Sequence, residues 1–165
     1  MARATTTKTV TKNSKTAATQ SAPPNDFSTK LFSDLSEADA AVLTGQRRKA
    51  IAAGFWQFMQ QRKSGQALIR VYNPDEQDDG WAHNCSVIEI VHEDMPFLVD
   101  SAMGAINSFG LTVHLVLHPI MRVHREANGK LQDIAPAQEL RGTVAESCTH
   151  IQCDEIRDPQ QLKAL

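Results

Sequence analysis

Six histidines, at positions 83, 92, 114, 118, 124 and 150, and the acids beside one of them in His92-Glu93-Asp94, are the groups with the types to do chemistry. Neutral imidazole binds metals and moves protons near neutral pH, and a neighbouring carboxylate can orient it or share acid–base work. Spacing decides against a metal centre. His114 and His118 share one strand face, and His124 joins them if Pro119 adds no bulge. Four steps along a strand already span ~13 Å at about 3.3 Å per residue, so one strand cannot converge three or four ligands on an ion. These histidines read as polar positions on a partly exposed strand face. His92-Glu93-Asp94 is not HExxH, because Pro96 stands where the second histidine belongs and the run precedes a helix instead of lying on one. No GxSxG, P-loop or GxGxxG accompanies it, so no catalysis is expected from these residues. Cys85, Cys148 and Cys153 are odd in number and lack CxxC spacing, which argues against a disulfide framework or a zinc ribbon and for a reduced, cytoplasmic compartment.

Composition narrows the classes further. A net charge of −2 over 165 residues excludes a dedicated nucleic-acid binder, and six Phe, two Trp and one Tyr leave little for base stacking. No apolar run approaches the ~20 residues of a membrane span, and no hydrophobic segment follows the first basic residues, so neither a membrane anchor nor a secretory signal is read.

The elements that must position these groups divide into three parts. Residues 1–26 contain Arg3, Lys8, Lys12 and Lys15 among Thr, Ser, Ala and Pro, with an acid only at Asp26, and read as a disordered basic tail. A mitochondrial transit peptide is the alternative, but the segment has no apolar face. Residues 27–64 read as a helical segment. Ser36-Glu37-Ala38-Asp39 resembles a capping box, Gly45 separates a short helix from a longer one, and Ile51, Phe55, Phe58, Met59 and Arg62 form a core stripe stopped by Ser64-Gly65. Arg47-Arg48-Lys49 reads as the wet face of that helix.

From residue 66 to 165 the period changes. ALIRVY is a strand, and the acidic NPDEQDDG is a solvated loop without the ligand spacing of a calcium site. CSVIEIV, β-branched on both parities, is a central strand covered on both faces. In HEDMPFLVDSAMGAINSFG, Asp94 is an N-cap candidate, Pro96 a first-turn residue, and Leu98, Ala102, Ala105, Ile106 and Phe109 one apolar face. Asp100, Gly104 and Asn107 fall opposite, and Gly110 is the left-handed stop. LTVHLVLHPIMRVHR alternates as a strand with Val113, Leu115 and Leu117 on one face, and Pro119 places it at an edge or beside a bulge. Asn128-Gly129 signals a hairpin, Pro136 to Thr143 an irregular excursion, SCTHIQCDEI a strand, and Asp158-Pro159 a helix start. The series is read as a ferredoxin-like (ACT-type) βαββαβ two-layer sandwich, α+β in class, truncated in its second helix. That truncation implies an unfilled place in the sheet and a piece of something longer.

The strand, then D-x-P-F-L-V-D-S, then the helix, then GLTVHLVLHPIMRV resembles the N-terminal region of the large bacterial NAD-specific glutamate dehydrogenases. Arg70-Val71-Tyr72-Asn73-Pro74, Asp79-Gly80-Trp81, Glu89-Ile90-Val91, Gly129-Lys130-Leu131 and Glu146-Ser147 before His150-Ile151 extend the match over about Leu68 to Asp158. The resemblance implies an ACT-type domain in a parent that oxidises L-glutamate with NAD to 2-oxoglutarate and ammonia. It implies no cofactor in this segment, downstream domains of the same chain and a homo-oligomer as partners, and an amino acid as the class of any effector. In such domains the first strand–helix turn holds amino acids where a small residue follows the proline. Here Phe97 follows it, which favours packing or subunit contact. Asp94, Met95, Pro96, Phe97, Asp100 and Asn107 are therefore the expected interface or effector turn. Two other classes are weighed. A stand-alone ACT-type amino-acid sensor without activity would share the fold. An RNA-binding sheet of the same architecture would need aromatic residues on CSVIEIV and SCTHIQCDEI, which have none.

Overall fold

The computed structural model describes residues 22–165, so the tail expected over 1–26 lies outside the described residues as far as position 21. Three helices open the described chain: α1 (Asn25–Leu31), α2 (Glu37–Val42) and α3 (Gly45–Phe58). Ser36 caps α2 as its sequence suggests, its hydroxyl oxygen accepting the Asp39 N–H at 3.1 Å. Gly45 is the first residue of α3 instead of a spacer, because Thr44 takes the N-cap and accepts from the Arg47 N–H. Phe27 of α1 packs on Trp56 and Phe55 of α3 with ring centroids 5.1 and 6.3 Å apart, and Ile51, Phe55 and Met59 are fully buried, as a core stripe should be. Each side chain of that kind contributes about 1.5–3 kcal/mol by leaving water.

Six strands form one antiparallel sheet: β1 (Leu68–Tyr72), β2 (Cys85–Glu93), β3 (Val113–Leu117), β4 (Ile120–Arg125), β5 (Leu131–Ala135) and β6 (Val144–Asp154). The order is β1-β2-β6-β4-β5, with β3 pairing β6 beside β4. β3 and β4 are thus two lengths of one path along β6. It breaks at Pro119, which has no N–H to give the ladder but whose carbonyl accepts from the Cys148 N–H at 3.0 Å. A second irregularity between Val113 and Leu115 turns Val113 to the face opposite Leu115 and Leu117, so these three do not share a face as strict alternation predicts.

Between β2 and β3 runs α4 (Leu98–Ser108), and after β6 comes α5 (Pro159–Ala164), capped by Asp158 with Pro159 opening it. Their face of the sheet holds Ile88, Ile90, Ile151 and Cys153 beneath Ile106. The opposite face holds Cys85, Val87, Val91, Cys148, Met121 and Val123 against α1 and α3. β2 is buried on both parities accordingly, and the expected two layers become three because the first helices cover the second face. The expected unfilled place in the sheet is also corrected, since β1 pairs the free side of β2 from Leu68↔Val91 to Tyr72↔Val87.

The helix expected to continue to Ser64-Gly65 ends at Phe58. Beyond it the chain lies on the β4–β5 hairpin: Arg62 N–H donates to the Gly129 carbonyl and Leu131 N–H to the Gln60 carbonyl. Tertiary hydrogen bonds replace helical ones there. Arg62 is buried not by a helical stripe but by charge. Its guanidinium and that of Arg125 both bond Glu146, which is wholly buried.

Candidate functional site

The turn from β2 into α4 departs from its local signals. The N-cap of α4 is Phe97, not Asp94, and no side chain caps it. Pro96 accordingly precedes the helix instead of sitting in its first turn. The reason is tertiary. Asp94 N–H donates to the Ala145 carbonyl at 2.8 Å, which keeps the chain on the end of β6 and delays the helix by a few residues. The chain then reverses through Phe97 at φ 65°, the one non-glycine residue in the left-handed region among the described residues. That conformation costs about 1–2 kcal/mol for a side chain with a Cβ. Its carbonyl accepts the Ser101 N–H at 2.9 Å, the first helical bond of α4. At the other end Gly110, at φ 72°, is the expected left-handed stop.

The strain carries an exposed ring. Phe97 is 76% accessible and Met95 50%, both at a turn that ordinary packing would hide. Ile120, 55% exposed, and half-exposed Val116 belong to the same face of the sheet. Ile120 and His92 both flank Ser147, and Val116 pairs Ile151, whose side chain lies under α4. Asp94, Met95, Pro96 and Phe97 are brought together at this turn. Asp100 and Asn107 stand further along the exposed side of α4, about 10 Å apart by the helical rise of seven residues. Val116 and Ile120 were missed as site residues, although they share the parity of His114 and His118 that the strand pattern turns outward.

The histidines separate into unrelated pairs. His114 Nε2 lies 2.7 Å from Asp154, His124 Nδ1 2.6 Å from Asp133, and buried His150 Nδ1 2.8 Å from Glu89 on the other face. Glu89 also bonds Arg70 Nε and the Tyr72 hydroxyl. No group of three or more His, Cys, Asp or Glu among the described residues is placed to hold a metal ion. No described helix is long and apolar enough to cross a membrane.

Fold and surface define a helix-flanked antiparallel domain whose outstanding feature is a strained turn with exposed apolar side chains. The chain belongs to the glutamate dehydrogenase ACT1-domain family, whose model matches residues 27–165. Over 111 residues it is 36% identical to the NAD-specific glutamate dehydrogenase of Halomonas elongata and 32% identical to that of Pseudomonas aeruginosa. Those matches cover 67% of this chain but only 7% of each relative. No solved structure matches the chain.

Proposed function

We propose that this chain is an N-terminal regulatory and assembly segment of an NAD-dependent glutamate dehydrogenase, acting in the cytoplasm. The parent converts L-glutamate, NAD and water to 2-oxoglutarate, ammonium, NADH and a proton, and NAD binds downstream of this segment. Its core is a ferredoxin-like ACT-type unit. The order β2, α4, β3/β4, β6, α5, with β6 between β2 and β3/β4, supports that reading. Downstream domains and further copies of the same chain are its partners.

The observation that carries the assembly role is Phe97, strained into a left-handed backbone and left 76% exposed. Strain held at an exposed apolar residue is sustained where a partner covers it. Asp94, Met95 and Pro96 shape this contact, and Asp100 and Asn107 form its polar margin. The test is Phe97→Asp in the full-length enzyme, followed by sedimentation velocity and the NADH absorbance assay. A smaller particle, or an altered response to effectors with the fold retained, is the expected result. An unchanged particle with unchanged kinetics overturns the contact role. NADH production by the 165-residue chain alone overturns the downstream placement of the active site.

A further inference from the structure

β5 and β6 both pair β4 antiparallel, one on each side, so the two run parallel and the chain between them has to cross β4. Residues 136–143 make that crossing without helix or strand, and residues 136–142 are exposed throughout. Met121 and Val123 lie in the core beneath α1 and α3, so Ile120, Arg122 and His124 face the other way. Glu139 of the crossover comes down on His124 there. Among the described residues, this contact is the one polar tie between residues 137–142 and the sheet. The Glu139 N–H donates to the Pro136 carbonyl and the Thr143 hydroxyl to the Glu139 carbonyl, both within the crossover. We propose that His124 is a pH-sensitive latch, whose imidazolium pins the β5–β6 crossover onto β4 and whose neutral ring lets it go.

The count of N–H groups decides the protonation state. His124 Nδ1 lies 2.6 Å from Asp133 of β5, and Nε2 lies 3.3 Å from Glu139 of the crossover. An ionised carboxylate only accepts hydrogen bonds, and a neutral imidazole has one N–H to give. Both contacts at once therefore require the doubly protonated ring. The shorter bond, to Asp133, keeps the single proton of a neutral ring on Nδ1. Nε2 then turns a lone pair toward the Glu139 carboxylate, acceptor against acceptor. Asp133 stays in place either way, because it pairs His124 in the β4–β5 ladder. Glu139, and the crossover with it, is what comes free. The charged groups that face the ring are Asp133 and Glu139, and Arg122 shares its face on the same strand. The hydrogen bond to Asp133, opposed by desolvation and aided by the charges of Asp133 and Glu139, holds the His124 pKa above its ordinary 6.5. A raised folded value means that the latch is complete below the ordinary value and is lost as pH rises through the higher one, close to neutrality. Both acids are exposed, so salt weakens the latch as well.

The latch stands or falls independently of the assembly role of the β2–α4 turn. Arg141, followed by Gly142, gives trypsin a cleavage site inside the crossover, and cleavage there requires the segment to open. The rate at Arg141 is measured on the 165-residue chain from about pH 6 to about pH 8.5, across the range in which histidine titrates. Each rate is divided by that of a free peptide of residues 136–144, which cancels the pH dependence of the protease. Histidine NMR on the same samples gives the His124 midpoint. The normalised rate is expected to rise about threefold, the size of effect an exposed ion pair supports, with a midpoint that matches the ring titration. His124→Gln, which has no ring proton to lose, is cleaved at the fast rate at every pH. Glu139→Gln flattens the profile and lowers the His124 midpoint. A flat normalised rate in the wild-type chain, a His124 midpoint at or below 6.5, or a His124→Gln profile that still follows pH overturns the proposal.

Discussion

Glu146→Ala removes the shared acceptor of the most deeply buried charges in the fold. The carboxylate accepts from Arg62 Nε at 2.8 Å and from Arg125 Nε and a terminal nitrogen at 2.6 and 2.8 Å, with Glu146 and Arg62 at 0% and 1% exposure. Losing one partner of such a set costs about 3–5 kcal/mol, because the remaining cations stay buried without their counter-charge. Glu93, 3.5 Å from Arg62, and the carbonyls of Lys63, Gln66, Met59 and Gly129 still receive the guanidinium N–H groups. The lower end, about 3 kcal/mol, is therefore expected, a large part of a domain stability of about 5–15 kcal/mol. With a urea slope of about 2 kcal/mol per molar, the unfolding midpoint falls by roughly 1.5 M. The assay is equilibrium urea unfolding followed by tryptophan fluorescence, with Trp56 and Trp81 both buried reporters. A fall of less than about 0.5 M at unchanged slope would refute the view that this cluster ties the segment after α3 to the β4–β5 hairpin through Glu146.

Three further outcomes are expected. Gly129→Ala places a Cβ hard against the Arg62 carbonyl oxygen at φ +90°, and should lower stability by more than about 2 kcal/mol, read as a thermal midpoint at least roughly 5 °C lower. Burial alone would raise the Glu89 carboxyl, but Arg70 and the His150 hydrogen bond hold it below its ordinary value of 4.5. Its contribution is therefore present above that value and lost as pH falls through the lower folded one. Glu89→Gln should flatten the acid limb of the urea midpoint below pH 4.5, and an unchanged limb would contradict this. Burial pushes the Cys85 and Cys153 thiols up to about 11 and Cys148 higher still, so a thiol reagent at neutral pH should label all three only at the rate of unfolding.

Local chemistry made much of the fold legible. The Ser36 cap, the Gly110 stop, the Asn128-Gly129 hairpin and the Asp158-Pro159 start each satisfy backbone groups within a few residues, and all appear as read. What escaped depends on groups far apart in sequence. Arg62 meets Glu146 across 84 positions, and nothing near Arg62 distinguishes an arginine ending a helix from one entering a core. Asp94 followed by Pro96 satisfies every local rule for a helix start, yet a bond to Ala145 overrides it. At the site, Phe97 was visible as an oversized residue at the turn. Its left-handed backbone was not, because only the reversal off β6 imposes it.

The pairing of β1 with β2 has a consequence for how the domain is made. A sheet closed by a strand after α5 would wait for later synthesis, whereas here the closing strand leaves the ribosome before β2, the strand it joins. The flank of β2 is supplied from the N-terminal side. Such a domain can complete its sheet while the rest of a long chain is still being translated, which shields the β2 edge from mispairing. In a longer protein, any strand following α5 would find that edge taken and would have to seek the outer side of β1 or another sheet.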